Sequence, residues 1–298
     1  MERETLLAML VMIFGGLALQ LPAVWREPRR DSASAIELER RSWLALCFPV
    51  VPALTAAAWL CGWALTQPDP VRGPLDPWVV TATWLPFGLL FIRAALRGCW
   101  ALLRRPRECG VSTVGLLQPQ VVFSPFLAKQ LEDGVIRAAL AHERAHAAHR
   151  DPLRIWLAQL LTDLQWPWPA AERRLRAWLD ALELARDEEA RASGTDGAEL
   201  AAAVLASARF LRSMPSAERE TLTGPQLAHA GLLGGSLALK HRVSRLLAPL
   251  RTCAADSVGG PDRTRAIMLV LAGALAVSLV LGLVYGPGIL HPLLALTA

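Results

Sequence analysis

The chain has 298 residues, 53% of them hydrophobic and only 19% charged, with 31 basic against 26 acidic side chains. A soluble domain of average composition carries nearer a quarter charged residues, and here the apolar residues gather in long uncharged runs near both ends. Disorder, a collagen-like repeat and a disulfide-stapled secreted domain are excluded, and a membrane protein with one polar domain is expected.

The five cysteines, Cys47, Cys61, Cys99, Cys109 and Cys253, are odd in number and include no close pair. Neither a metal knuckle nor a disulfide framework can be read from them, which suits a reducing compartment. The formal charge of +5 comes largely from arginines that flank apolar segments, where membrane topology accounts for them. No direct nucleic-acid partner is expected.

A bilayer core asks for roughly 20 apolar residues in helix. The first run that meets this lies at about residues 5–25. Its leader, Met1-Glu2-Arg3-Glu4, lacks the basic excess of a signal peptide, the alternative reading. A second crossing is expected at about 43–66. A third, at about 78–100, reaches spanning length only if Arg93 and Arg97 snorkel to a membrane surface. These three crossings and their loops make up residues 1–103. Residues 104–265 form the polar domain, and 266–298 hold a fourth crossing and a short outer tail.

The connection from Arg26 to Arg41 carries five arginines, and that from Asp69 to Asp76 carries one. By the positive-inside rule the N-terminus is outside, the polar domain cytoplasmic and the C-terminus outside. The expected fold class is therefore a mainly α membrane protein. Four transmembrane helices frame a helical cytoplasmic domain that sits between the third and fourth.

Within the polar domain, Val111 to Leu117 and Gln120 to Phe123 are β-prone and separated by Pro119, which predicts a small hairpin. Ser124-Pro125 opens a short helix. Asp133 can cap a helix that runs through Arg150, and Asp151-Pro152 starts the next. Trp166-Pro167-Trp168-Pro169 ends that helix. Further helices are predicted at about Ala171–Arg191, Ala198–Arg212 and Leu237–Leu247.

The chemistry lies in His142-Glu143-Arg144-Ala145-His146. On a helix the two histidines stand about 40° apart around the axis and about 6 Å along it, so both imidazoles can meet one metal ion. Glu143 stands to one side, placed to take a proton from a zinc-activated water. The bland alternative is a polar helix with two solvated histidines. A catalytic zinc usually takes three protein ligands. His149 lies about 10 Å along the axis from His142, too far to converge with both. Glu183, in Glu183-Leu184-Ala185-Arg186-Asp187, is the better third ligand. Asp187, one turn on, is placed to accept a hydrogen bond from a ligand histidine and fix its tautomer. An ordinary acidic face is the competing explanation, since Glu188 and Glu189 follow directly.

These features resemble the membrane zinc metallopeptidases of the BlaR/MecR antirepressor type. The matching residues are Val114-Gly115-Leu116-Leu117-Gln118-Pro119, the helix from His142 to His146, Arg150-Asp151-Pro152-Leu153, Glu183 to Glu188, and Lys240-His241-Arg242-Val243-Ser244-Arg245-Leu246-Leu247. The resemblance implies a zincin-like domain in which His142, His146 and Glu183 bind Zn2+ and Glu143 is the general base. It also implies a multi-pass protein of the bacterial inner membrane that cleaves a cytoplasmic protein, often a winged-helix repressor, and sometimes itself. A homodimer is left open.

Two departures matter. The best-known members carry a penicillin-binding sensor after the last crossing, whereas this chain ends at Ala298 and has no SxxK motif. The only tyrosine, Tyr285, is expected in or just beyond the last crossing, so it cannot stabilise the tetrahedral intermediate; His241 or Arg242 is the candidate instead. Competing functions are a membrane quality-control or prenyl-protein protease and a non-catalytic scaffold that retains a metal site.

Overall fold

The computed structural model describes residues 34–51, 88–89, 92–99, 111–166, 168–213 and 236–249. In order these form helix α1 (Ala35–Cys47) with a 3-10 turn at Phe48–Val50, strands β1 (Val111–Val114) and β2 (Gln120–Phe123), then six further helices. The helices are α2 (Pro125–Ala128), α3 (Asp133–Ala148), α4 (Asp151–Asp163), α5 (Pro169–Ala192), α6 (Gly197–Ser213) and α7 (Ser236–Leu247). Residues 92–99 are also helical.

This architecture corrects the expected four-helix membrane frame. Among the described residues no helix is long and apolar enough to cross a membrane, and the protein is mainly helical with one small sheet. The expected second crossing began at Trp43, because Ser42 to Val51 carries no charge. The helix instead begins eight residues earlier and includes Glu37, Glu39, Arg40 and Arg41. Ser34 Oγ accepts from the Glu37 backbone N–H at 3.2 Å, which sets the start. Its apolar face is spent on protein: Trp43, Leu46 and Cys47 pack with Ala158 of α4 and Leu175, Trp178 and Leu182 of α5. Arg93 and Arg97, expected to snorkel, turn toward buried Asp163 at 3.8 and 2.6 Å. Burial raises the Asp163 pKa, and the arginines oppose that rise. The expected crossings at 5–25 and 266–298, and most of 43–66 and 78–100, lie outside the described residues.

The hairpin pairs antiparallel, with Val111 opposite Phe123 and Val114 opposite Gln120. Gly115 leaves β1 at φ +97°, a conformation an L side chain rarely adopts, and a Cβ there would meet the Gln118 carbonyl at 2.6 Å. Val111, with Leu127 of α2, packs against Ala139 of α3 and Ala203 of α6. This seats β1 along the helix that carries the histidines.

Helix α3 buries Ala138, Ala139, His142, Ala145 and His146, one stripe at helical spacing in which the neighbours are alanines. Small side chains let α5 and α6 approach closely, so the two imidazoles sit in the interior. Helix α5 has two jobs along its 24 residues. Its first half packs Leu175 and Trp178 on α1, and its second half turns Glu183, Arg186, Asp187 and Ala190 inward. Helix α7 is held to α5 by Arg191, which donates to the carbonyls of Arg245 and Ala248 at 3.1 and 2.9 Å. At the start of α6, a Cβ on Gly197 would meet the Leu246 carbonyl at 2.2 Å, so glycine permits α7 to come this close.

Candidate metal centre

The structure brings His142 and His146 of α3 together with Glu183 of α5. One ligand atom from each lies within 4.8 Å of the others. The two Nε2 atoms are 3.1 Å apart. Glu183 Oε2 is 3.4 Å from His142 Nε2, and Glu183 Oε1 is 3.6 Å from His146 Nε2. Zinc–ligand bonds of about 2.0–2.2 Å in tetrahedral array separate the ligand atoms by roughly 3.3 Å, so all three separations suit one small cation.

The hydrogen-bond partners support the same fit. His146 Nδ1 donates to Asp151 Oδ2 at 2.8 Å, since an ionised carboxylate can only accept. Its Nε2 therefore presents a lone pair. Arg242 Nη2 lies 3.2 Å from His142 Nε2, and a guanidinium can only donate, so it opposes a proton on that nitrogen. His142 Nδ1 lies 3.0 Å from Asp187 Oδ1, though without the alignment of a full hydrogen bond. Two imidazole nitrogens held 3.1 Å apart in the interior, with a carboxylate beside them, are a donor set that suits a divalent cation.

Charge at the centre is dense and almost wholly buried. Burial would by itself raise the Glu183 and Asp187 carboxyls, but Arg242 and His142 hold both below their ordinary values, with His146 adding to the effect on Glu183. Arg242 reaches in from α7, with Nε and Nη2 on Asp187 at 2.5 and 2.8 Å and Nη1 on Glu183 at 2.8 Å. Burial would depress the His142 pKa, but Asp187 and Glu183 outweigh it and lift it to about 9. The carboxylates thus favour positive charge on or beside this imidazole.

Glu143 is half-buried and is not one of the three clustered ligands, and its charge acts on Arg242 in the site. Thr113 Oγ1, on β1, lies 2.8 Å from Glu143 Oε2 and 2.9 Å from the Glu143 carbonyl, and its single proton serves one of them at a time. The strand therefore steadies the carboxylate. His241 is exposed, whereas its neighbour Arg242 is buried in the site. His149 is outside the cluster, exposed and paired with Glu189 at 3.0 Å. Tyr285 lies outside the described residues.

Three participants were not anticipated from sequence. Asp151, read as a helix start, is fully buried and is the acceptor for His146. Arg186 donates to it through Nε at 2.6 Å and Nη2 at 3.2 Å, and these partners hold the Asp151 carboxyl far below its ordinary pKa although burial raises it. Thr113 is the third. Asp151 had a legible signal, a carboxylate five residues after the second histidine. Thr113 had none, because its role depends on where the hairpin lands.

Compared with known proteins, the chain matches no family model, no curated protein and no solved structure. The likeness to the BlaR/MecR type rests on the motifs alone.

Proposed function

We propose that this protein is a zinc endopeptidase acting on a protein substrate, with His142, His146 and Glu183 as ligands and Glu143 as general base. The observation that carries the reading is the convergence of three ligand atoms with Glu143 on the same helix turn. A zinc ion held there would supply Lewis acidity, lowering the pKa of water and polarising the scissile carbonyl. Glu143 takes a proton from the attacking water as its oxygen bonds to the carbonyl carbon, then delivers that proton to the amine nitrogen as the C–N bond breaks. Thr113 keeps the carboxylate in place. Asp151 and Asp187 orient the imidazoles. Arg242, buried beside Glu183, adds positive potential that favours a developing oxyanion.

The resemblance extends this reading to regulated proteolysis at a bacterial inner membrane, with a cytoplasmic substrate such as a winged-helix repressor. Zinc per chain in purified protein is the first test. The expected result is one zinc in the parent, lost in Glu183→Ala. Glu143→Gln should keep its zinc and lose at least about 100-fold in cleavage of a co-expressed repressor. Undiminished cleavage by Glu143→Gln would remove this glutamate from the mechanism, and a well-folded parent that takes up no zinc would end the reading.

A further inference from the structure

Asp151 is a branch point. Besides His146 and Arg186, its Oδ1 accepts from Arg154 Nη1 at 3.0 Å. The same guanidinium reaches through Nη2 to Glu39 Oε1 on α1 in an ion pair. Glu39 is buried, and its Oε1 also accepts from the indole N–H of Trp178 at 2.9 Å. Arg154 lies over the rings of Trp43 and Trp178 at 5.4 and 5.7 Å, packed on the seam where α1 meets α5. An unbroken set of hydrogen bonds thus runs from α1, through α4, to the imidazole of a candidate ligand.

Two carboxylates share the charge of Arg154. If Glu39 loses its charge, the pull of Arg154 falls wholly on Asp151. That carboxylate then holds the His146 N–H less strongly, and the imidazole becomes a poorer and less well oriented donor. A second tie fixes α1 nearby, since the Ala35 backbone N–H donates to Glu188 Oε2 at 2.8 Å, one residue beyond Asp187.

We infer that Glu39 is a positioning residue of the metal centre, acting on His146 through Arg154 and Asp151, so that this carboxylate of α1 tunes the affinity for the cation. The inference rests on the metal-binding reading above.

The test is zinc affinity of the full chain, measured by competition with a chromophoric chelator, for the parent, Glu39→Gln, Arg154→Met and the double variant. Glu39→Gln is expected to weaken zinc about tenfold, the lower end for outer-shell partners. In the Arg154→Met background the same change should have an effect within about twofold, because the connection is already cut. Equal losses in both backgrounds, or no loss in the parent background, would overturn the inference. Leu46→Ala, on the buried face of α1, guards against general loosening: it should lower the melting temperature without changing zinc affinity, and a matching affinity loss would also overturn it. Should Glu39→Gln fail to fold, Glu39→Asp keeps the charge on a shorter arm, and an unchanged affinity there would count against the relay. A parent that binds no zinc sinks both readings, whereas a parent that binds zinc without coupling to Glu39 sinks this one alone.

Discussion

Each of the two imidazoles has a carboxylate at its Nδ1 side and a buried arginine behind that carboxylate. His146 has Asp151 and Arg186, and His142 has Asp187 and Arg242. The carboxylate orients the ring, and the arginine stops the carboxylate from drawing a proton of its own. Asp151→Asn retains shape but removes the charge that Arg186 faces in the interior. Zinc affinity should fall about 10- to 100-fold. Stripping a buried ion pair of one partner should also cost about 3–5 kcal/mol of stability. Chelator competition and thermal melts measure the two effects, and an unchanged affinity would show that Asp151 holds the fold and not the ligand.

Among the elements, α1 is where hydropathy misled. A window over Trp43–Val51 sees only uncharged residues and assigns them to lipid. The local signals argued otherwise: Ser34 followed by Glu37 is a helix-start pattern, and Glu37 pairs with Arg41 one turn on at 2.8 Å. The apolar face of α1 packs on α5, with Trp43 and Trp178 ring centroids 4.8 Å apart at 49°. Trp178 is completely buried, and its truncation removes both this contact and the indole bond to Glu39. Trp178→Ala should destabilise the protein by about 3–5 kcal/mol in denaturant unfolding. A cost below about 1 kcal/mol would mean that α1 is not docked as described.

For the whole molecule, the centre is also a cross-link. Its candidate ligands come from α3 and α5, while α4 supplies Asp151 and α7 supplies Arg242. A cation that binds only the folded chain stabilises it by mass action, about 2.7 kcal/mol at a hundredfold excess over Kd. For a domain of this size, chelation should lower the melting temperature by roughly 5–10 °C. Glu183→Ala should melt at the same temperature with and without chelator. Equal chelator sensitivity in parent and variant would place the stabilising metal elsewhere.

The sites and the elements were legible to different degrees, for physical reasons. A helical repeat of four residues puts two histidines on one stripe whatever surrounds them, so His142 and His146 could be paired from sequence, as could most of α3 to α7 and the hairpin, whose caps and prolines are local. That Glu183 stands 3.4 and 3.6 Å from those imidazoles depends on α5 crossing α3 at alanines. The partners Asp151, Arg186 and Thr113, and the reach of Glu39 from α1, depend likewise on where separate elements come to rest. Uncharged residues read the same whether they face lipid or another helix. Only the packing of Trp43, Leu46 and Cys47 on α5 decided between those two environments.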